Sequence, residues 1–486
     1  MLRKLSVVLV SAGALALGGC SNGSSDAGTN LCAGVASPCT PFPSGTSAAA
    51  ISTALSTAAA NSTFVFGAGT FSFSAALTLP GVAGLTITGA GIGSTILDFT
   101  GPTSGTGDGI DALLGNNNLT FSKLTVQNTT GDGIKVSGGN GVLFQTVQVT
   151  WTNASNLLDG AYGIYPVQSQ NIVVDSCQVS GARDTGIYVG QSFDIIVRNN
   201  KVSANVAGIE IESSVSADVY GNEATNNSGG ILVFALPSLL PPPASGVTTD
   251  MTLNVRVFNN NIHANNSFNF GDPSGTVAAV PGGTGLVVMA SNNVEVFGNT
   301  IANNDTAAYA VISYFLINNS FNPVDPGQNP TGLDPFPNNV YAHDNTFSGN
   351  GTSPISDNVA PDGGQSTNLL GELLGALVGL YGGFVPTNNA VPDILWDGIA
   401  LTPPQGGTYI PPPPPTDAGS VGSPPNPVDF FIESNGSATF ANLNFIYLVP
   451  GGVPPPDPTA IVFNATPFIV SSPPTGFPLP GVDAGF

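Results

Sequence analysis

The chain has 486 residues, with 8 Lys and Arg against 30 Asp and Glu, a formal net charge of −22. A surface of that sign repels nucleic acid and anionic lipid headgroups, and it opposes a polyanionic ligand unless cations mediate. Only 8% of residues are charged, so the fold must rest on packing and hydrogen bonds rather than on ion pairs.

At the N-terminus Arg3 and Lys4 precede an apolar run from Leu5 to Leu17, and Leu17-Gly18-Gly19-Cys20 has the pattern of a bacterial lipobox. The run is too short to span a membrane. Residues 1–19 are therefore expected to be a lipoprotein signal peptide, a plain signal peptide being the alternative. Cys20 becomes the lipidated first residue, and Ser21 after it points to the outer membrane. The mature chain would carry six basic against thirty acidic residues, net −24. Residues 20–44 read as a tether. Within it Cys32 and Cys39 are close in sequence in an exported segment, which predicts a disulfide. From Ser44 to Ala60 the chain is rich in Ala, Ser and Thr, with Ile51 and Leu55 an i, i+4 apolar pair. This predicts a short helix capping a solenoid.

The body of the chain is a repeat. Gly186-Ile187-Tyr188-Val189, Gly208-Ile209-Glu210-Ile211 and Gly230-Ile231-Leu232-Val233 recur every 22 residues, and Gly109-Ile110, Gly133-Ile134 and Gly163-Ile164 continue the series upstream. Runs such as Asn171-Ile172-Val173-Val174 and Asp194-Ile195-Ile196-Val197 read as short strands separated by turn residues. Three strands and three bends per turn predict an all-β solenoid, a parallel β-helix over residues 45–350. Asn200, Asn222, Asn260, Asn299 and Asn345 form a second series, in which Asn is expected both to take the left-handed bend and to bond the next coil. Cys177 falls in the same series and is expected to be buried. Steps of 38, 39 and 46 along it imply coils enlarged by loops, notably Leu236 to Thr249 and Asn322 to Asn338. Residues 351–486 read as a C-terminal cap or appendage, partly Pro-rich at Pro411 to Pro415.

Chemistry is sparse. Gly89-Ala90-Gly91-Ile92-Gly93 lacks the helix a dinucleotide loop needs. The two histidines, His263 and His343, have no His or Cys at ligand spacing and are expected in exposed turns. No resident cofactor or metal centre is indicated. Calcium is allowed at Asp108 and Asp132, which share a Gly-Asp-Gly-Ile context one coil apart. The best candidate surface follows from register: if each repeat Ile points inward, Asp111, Lys135, Tyr165, Tyr188, Glu210 and Leu232 point outward. Arg183, Asp184, Gln168 and Gln191 lie beside them. Tyr165, Gln168, Tyr188 and Gln191 are then candidates for binding a sugar ring, with Arg183, Asp184, Tyr188 and Glu210 candidates for catalysis. An ordinary sheet face carrying β-favouring tyrosines is the competing reading.

These repeats resemble the right-handed parallel β-helix superfamily, which includes pectate lyases and polysaccharide epimerases. Tyr162-Gly163-Ile164-Tyr165-Pro166-Val167-Gln168 is similar to the Tyr-Gly-x-Asp-Pro-His-Asp motif of mannuronan C5-epimerases, with the acids and His replaced by Tyr165, Val167 and Gln168. Val167 moves no proton, so the resemblance does not carry that reaction. Tyr162 to Ser169, Gly186 to Ser192, Gly229 to Phe234, Asp393 to Gly398 and Ala438 to Asn442 resemble strings in a group of uncharacterised exported β-helix repeat lipoproteins. That likeness implies an exported c-type cytochrome as a partner. The chain has no Cys-x-x-Cys-His of its own. The function expected is a lipid-anchored cell-envelope module that binds a glycan or acts as a scaffold; the alternative is a carbohydrate-active enzyme of lyase, epimerase or hydrolase type.

Overall fold

Three strands make one coil: Gln170–Asp175, Gln178–Ser180 and Thr185–Gly190, followed one coil later by Phe193–Arg198, Lys201–Ser203 and Ala207–Glu212. Each strand pairs in parallel with its equivalent in the next coil, so the chain builds a β-helix with three faces. The computed structural model describes residues 30–101, 106–112, 114–152, 157–247, 250–316, 333–355, 357–359, 365–367, 390–397, 430–442 and 462–463. The signal peptide, Cys20, most of the 322–338 loop and most of residues 351–486 lie outside them.

The repeat isoleucines stack inward as expected. Ile110, Ile134, Ile164, Ile187, Ile209, Ile231 and Leu286 are in register on the third face and at most 1% exposed. Burying each side chain is worth roughly 1.5–3 kcal/mol. The N-terminal end is closed by a helix, Ala48–Ser56, whose Ser47 side chain accepts from the Ala50 amide and whose Ile51 and Leu55 are buried. Cys32 and Cys39 are disulfide-bonded just before it.

The corners explain the asparagines differently from the expectation. Lys123, Thr146, Ser176, Asn199, Gly221, Asn259, Gly298 and Asp344 hold φ between 53° and 64°, so the left-handed residue is the one before each ladder position, filled by Leu124, Val147 and Cys177 and then by asparagine. The following side chain is thereby turned inward. Asn200 Nδ2 donates to Asn222 Oδ1 at 3.0 Å, and the series runs through Asn260, Asn299 and Asn345 to Asn435. The Cys177 amide joins it, donating to Asn200 Oδ1 at 2.8 Å, and its side chain is 1% exposed. A second asparagine ladder, at Asn205, Asn227, Asn265, Asn304 and Asn350, repeats the arrangement five residues later at the next corner. At the third corner the ladder is serine: Ser169 N donates to Ser192 Oγ and Ser192 N to Ser214 Oγ, each at 3.0 Å.

The stack continues beyond residue 350, where the period in the sequence fades. Ile394–Trp396 pairs with Ala307–Ile312, and Phe430–Glu433 pairs with Asn338–His343. Buried Asp397 accepts from the Ser313 amide and hydroxyl at 2.6 and 2.7 Å, and Asp393 accepts from the Thr439 hydroxyl at 2.9 Å. The coils persist because register is carried by hydrogen bonds between distant segments, which need no fixed spacing in sequence.

Candidate functional site

The outward row of the third face is where the sequence candidates meet. In register across it stand Lys135 and Tyr165, then Tyr188, Glu210 and Leu232. They point away from the core but are not an open strip: Tyr188, Glu210 and Leu232 are 5%, 2% and 3% exposed. Over Leu232 the cover is an insertion, residues 264–283, between His263 and Thr284. Its Phe270 and Val277 pack in a second apolar cluster with Leu232, Phe234 and Met289. Asn269 Nδ2 fixes its shape by donating to the Val277 and Val280 carbonyls at 3.0 and 2.7 Å. The sequence signal for this strap was the step of 39 between Asn260 and Asn299. The loops at 236–249 and 322–338 stand out more in the sequence because prolines mark them.

On this face three tyrosines meet, Tyr165 and Tyr188 edge to face and Tyr162 tilted against both. Ring centroids of Tyr162, Tyr165 and Tyr188 lie 4.5 to 5.0 Å apart, and Lys135 Nζ sits 5.1 Å from the centre of Tyr165. The expected stack of two tyrosines is thus a triad of tilted rings. Tyr188 folds over the backbone at Gly190, where a Cβ would come within 2.3 Å of its ring, so any larger residue there would displace the ring. The Tyr188 hydroxyl donates to Glu212 Oε2 and accepts from Gln191 Nε2 at 3.2 Å. Gln191, 7% exposed, is therefore engaged inside the site, whereas Gln168 stands exposed at the corner one coil earlier. Burial holds all three phenols well above their usual range, so they stay protonated and act as donors.

Four carboxyl groups surround the triad. Asp184 and Glu210 are both held above the ordinary carboxylate range, chiefly by burial and then by repulsion among the acids. Burial lifts Glu212 to about 7 despite the Tyr188 hydrogen bond, and lifts Asp132 to about 6 with Asp108 adding repulsion. Glu210 Oε1 and Glu212 Oε1 are buried without a hydrogen-bond partner. Glu212, which the reading did not single out, was legible as the next outward position after Glu210. Asp108 and Asp132 are adjacent as expected, the Asp132 amide donating to Asp108 Oδ1 at 2.8 Å. Lys135 Nζ lies 3.5 Å from Asp132, so the chain itself supplies a cation there. Among the described residues no group of three or more His, Cys, Asp or Glu side chains is arranged to hold a metal ion.

At the edge of this cluster lies a cavity of about 180 Å³ lined by Ala161, Arg183, Asp184, Asp272, Ser274 and Gly275. Arg183 reaches across to Asp272 of the strap at 3.5 Å, and its Nε is buried without a partner. Asp184 Oδ1 accepts from the Thr185 hydroxyl at 3.0 Å. Asp272 is held low by the Ser274 amide and hydroxyl. The structure therefore brings Arg183, Asp184, Tyr165, Tyr188 and Glu210 into one neighbourhood, with only Arg183 and Asp184 facing the cavity.

The first face carries a row of rings that the reading missed. Tyr220, Phe258, Phe297 and His343 stack at 4.8 to 5.1 Å between centroids, and Tyr341 lies 4.2 Å from His343. His343 ends a strand rather than occupying a turn; its Nε2 is 3.2 Å from Glu295 and its Nδ1 2.8 Å from Asp344. These rings cover one another's faces and present edges outward, which suits a structural ladder better than a sugar platform.

Residues 84–238 match the family model of the right-handed beta helix region. No curated protein matches the chain. Among solved structures it is similar to the mannuronan C-5 epimerase A-module of Azotobacter vinelandii, at 18% identity over 63% of this chain and 85% of that one, TM-score 0.43. It is similar also to a tailspike protein mutant of E. coli bacteriophage HK620 in complex with pentasaccharide, at 16% identity over 59% and 50%, TM-score 0.41. A PL6 family alginate lyase matches at 13% over 64% and 38%, TM-score 0.39. The fold itself rests on the register of the chain's own strands.

Proposed function

We propose that this chain is a lipid-anchored cell-envelope β-helix that binds a glycan at the Arg183–Asp184–Asp272 cavity. The observation that carries the reading is the convergence of carboxyl, guanidinium and hydroxyl groups on a cavity next to a tyrosine triad. Sugars are held by such pairings: hydroxyls bond to charged planar groups, and apolar ring faces meet aromatic ones. At about 180 Å³ the cavity suits a single sugar unit, below the ~300–1,000 Å³ of pockets for larger ligands. The anchor rests on the lipobox at Leu17 to Cys20, and outer-membrane placement on Ser21. A labelled fatty acid incorporated by the native chain and not by Cys20→Ser tests it.

The binding test incubates the protein with acidic and neutral polysaccharides, with and without calcium, and records retention, new reducing ends and unsaturated uronate absorbance. Retention without products, weakened about tenfold or more by Arg183→Ala, is the expected result. One observation favours an enzyme as the second reading: in a single cavity Asp184 is held high and Asp272 low, which separates a proton donor from an acceptor. Turnover abolished by Asp184→Asn, with retention intact, would replace the binding reading by that one. If nothing is retained, the exported c-type cytochrome implied by the lipoprotein resemblance becomes the partner to seek, by crosslinking in native envelopes.

A further inference from the structure

The cavity is one-sided in its hydrogen-bonding chemistry. Asp184, Asp272 and the Ser274 hydroxyl offer acceptors, while its cation, Arg183, already reaches Asp272 at 3.5 Å. Behind it stand Asp132, Glu210 and Glu212, with Lys135 beside Asp132 as the balancing charge. The space in front of Asp184 is kept open by Gly275, where a Cβ would lie 4.0 Å from Asp184 Oδ2 and 3.3 Å from the Asp272 carbonyl oxygen. The φ of Gly275 is −86°, which any residue adopts, so its backbone does not require glycine. The missing side chain leaves room beside a carboxyl oxygen.

We propose that this cavity takes a protonated amine carried on a sugar, the ammonium group of an amino sugar, in preference to a neutral or uronic acid unit; the inference rests on the glycan-binding reading. An ammonium brings three donors and one positive charge to a site rich in acceptors and poor in free cations. A uronate would bring a negative charge into the same field, where Arg183 is shared with Asp272 through one nitrogen and Asp132, Glu210 and Glu212 oppose it. Against an amine that arrives as ammonium the Asp184 carboxyl becomes carboxylate and its proton goes to solvent; an amine that arrives neutral takes that proton itself and none is released. Burial holds Asp184 protonated at mildly acidic pH, with Tyr162, Thr185, Arg183, Asp132 and Glu210 around it, so affinity falls as the pH is lowered.

The test is calorimetric titration of the protein with de-N-acetylated chitooligosaccharide, its fully N-acetylated counterpart, a neutral glucan oligomer, an oligouronate and n-butylamine. Repetition in buffers of different ionisation enthalpy counts protons. The amino oligomer is expected to bind about tenfold or more tighter than the acetylated one, with proton release at pH 6, where the amine is already ammonium. Asp184→Asn should remove the preference and the proton release, and Gly275→Leu should block binding by filling the space. Equal binding of the amino and acetylated oligomers overturns the amine assignment and leaves the glycan reading standing. Preferred binding of the oligouronate also overturns it. Butylamine binding as tightly as the amino oligomer removes the sugar from the proposal, and failure of every saccharide overturns both readings.

Discussion

On the first face of the β-helix Asp175 lies 2.9 Å from Arg198, and Asp218 accepts from Arg256 Nε at 2.8 Å. On the third face Glu210 and Glu212 are buried, each with one oxygen that has no hydrogen-bond partner. Tyrosines line both rows. The difference lies in the supply of cations. With a cation one coil away, a carboxylate becomes part of the stack: burial works against ionised Asp175, but bonds from Asn199, Ser176 and Arg198 outweigh it. Without one, a buried carboxyl holds its proton instead, as Glu212 does to about pH 7. Groups poised in that way mark the third face, rather than the more conspicuous row of rings, as the chemically ready surface.

The largest expected effect breaks the paired side. Arg256→Met leaves the Asp218 carboxylate, 7% exposed, without its guanidinium and should cost about 4 kcal/mol, read as a fall in the denaturation midpoint. A change below about 1 kcal/mol would show that the ladder's charges are solvated.

A smaller effect sharpens the contrast through pH. Glu212 and Asp132 have folded values of about 7 and about 6, against about 4 in the unfolded chain. The folded protein therefore holds more protons than the unfolded one across this window, and stability falls as pH rises from about 4 to about 7. Asp175, held low, acts with the opposite sign, its contribution being lost only as pH falls below the ordinary carboxylate range. Stability should peak near pH 4 and drop by roughly 3 kcal/mol between pH 5 and pH 8. A thermal midpoint that is flat or rising from pH 5 to pH 8 would mean that these acids have found cations.

The smallest effect is a gain. Glu210→Gln keeps the shape of a buried side chain and removes its need to hold a proton. It should stabilise the protein by about 1 kcal/mol at pH 8 and change little at pH 5. Equal effects at both pH values would assign the change to packing.

Much of this was legible in the sequence. The Gly-Ile-x-Val period placed the third-face strands, the Ile51 and Leu55 pair placed the capping helix, and the asparagine series marked one corner. The second asparagine ladder was also readable, since Asn205, Asn227, Asn265, Asn304 and Asn350 each stand five residues after a member of the first. The serine ladder was harder to see, because Thr252 takes one of its places and Ser291 follows a long insertion. The outward direction of Tyr188 and Glu210 followed from alternation, but their burial did not, because it depends on contacts between coils, such as the Tyr188 ring over Gly190 and its hydroxyl on Glu212.

The sequence by itself determined the coil, its inward column and the row of residues that faces away from the core. Those are properties of alternation and period, set by neighbours within one coil and the next. Only the tertiary structure decided which outward residues are sealed, which acids have a cation within reach, and that Arg183 and Asp184 meet Asp272 across a cavity. Such facts depend on where an insertion folds back over a face, and its path is set by packing among residues far apart in sequence.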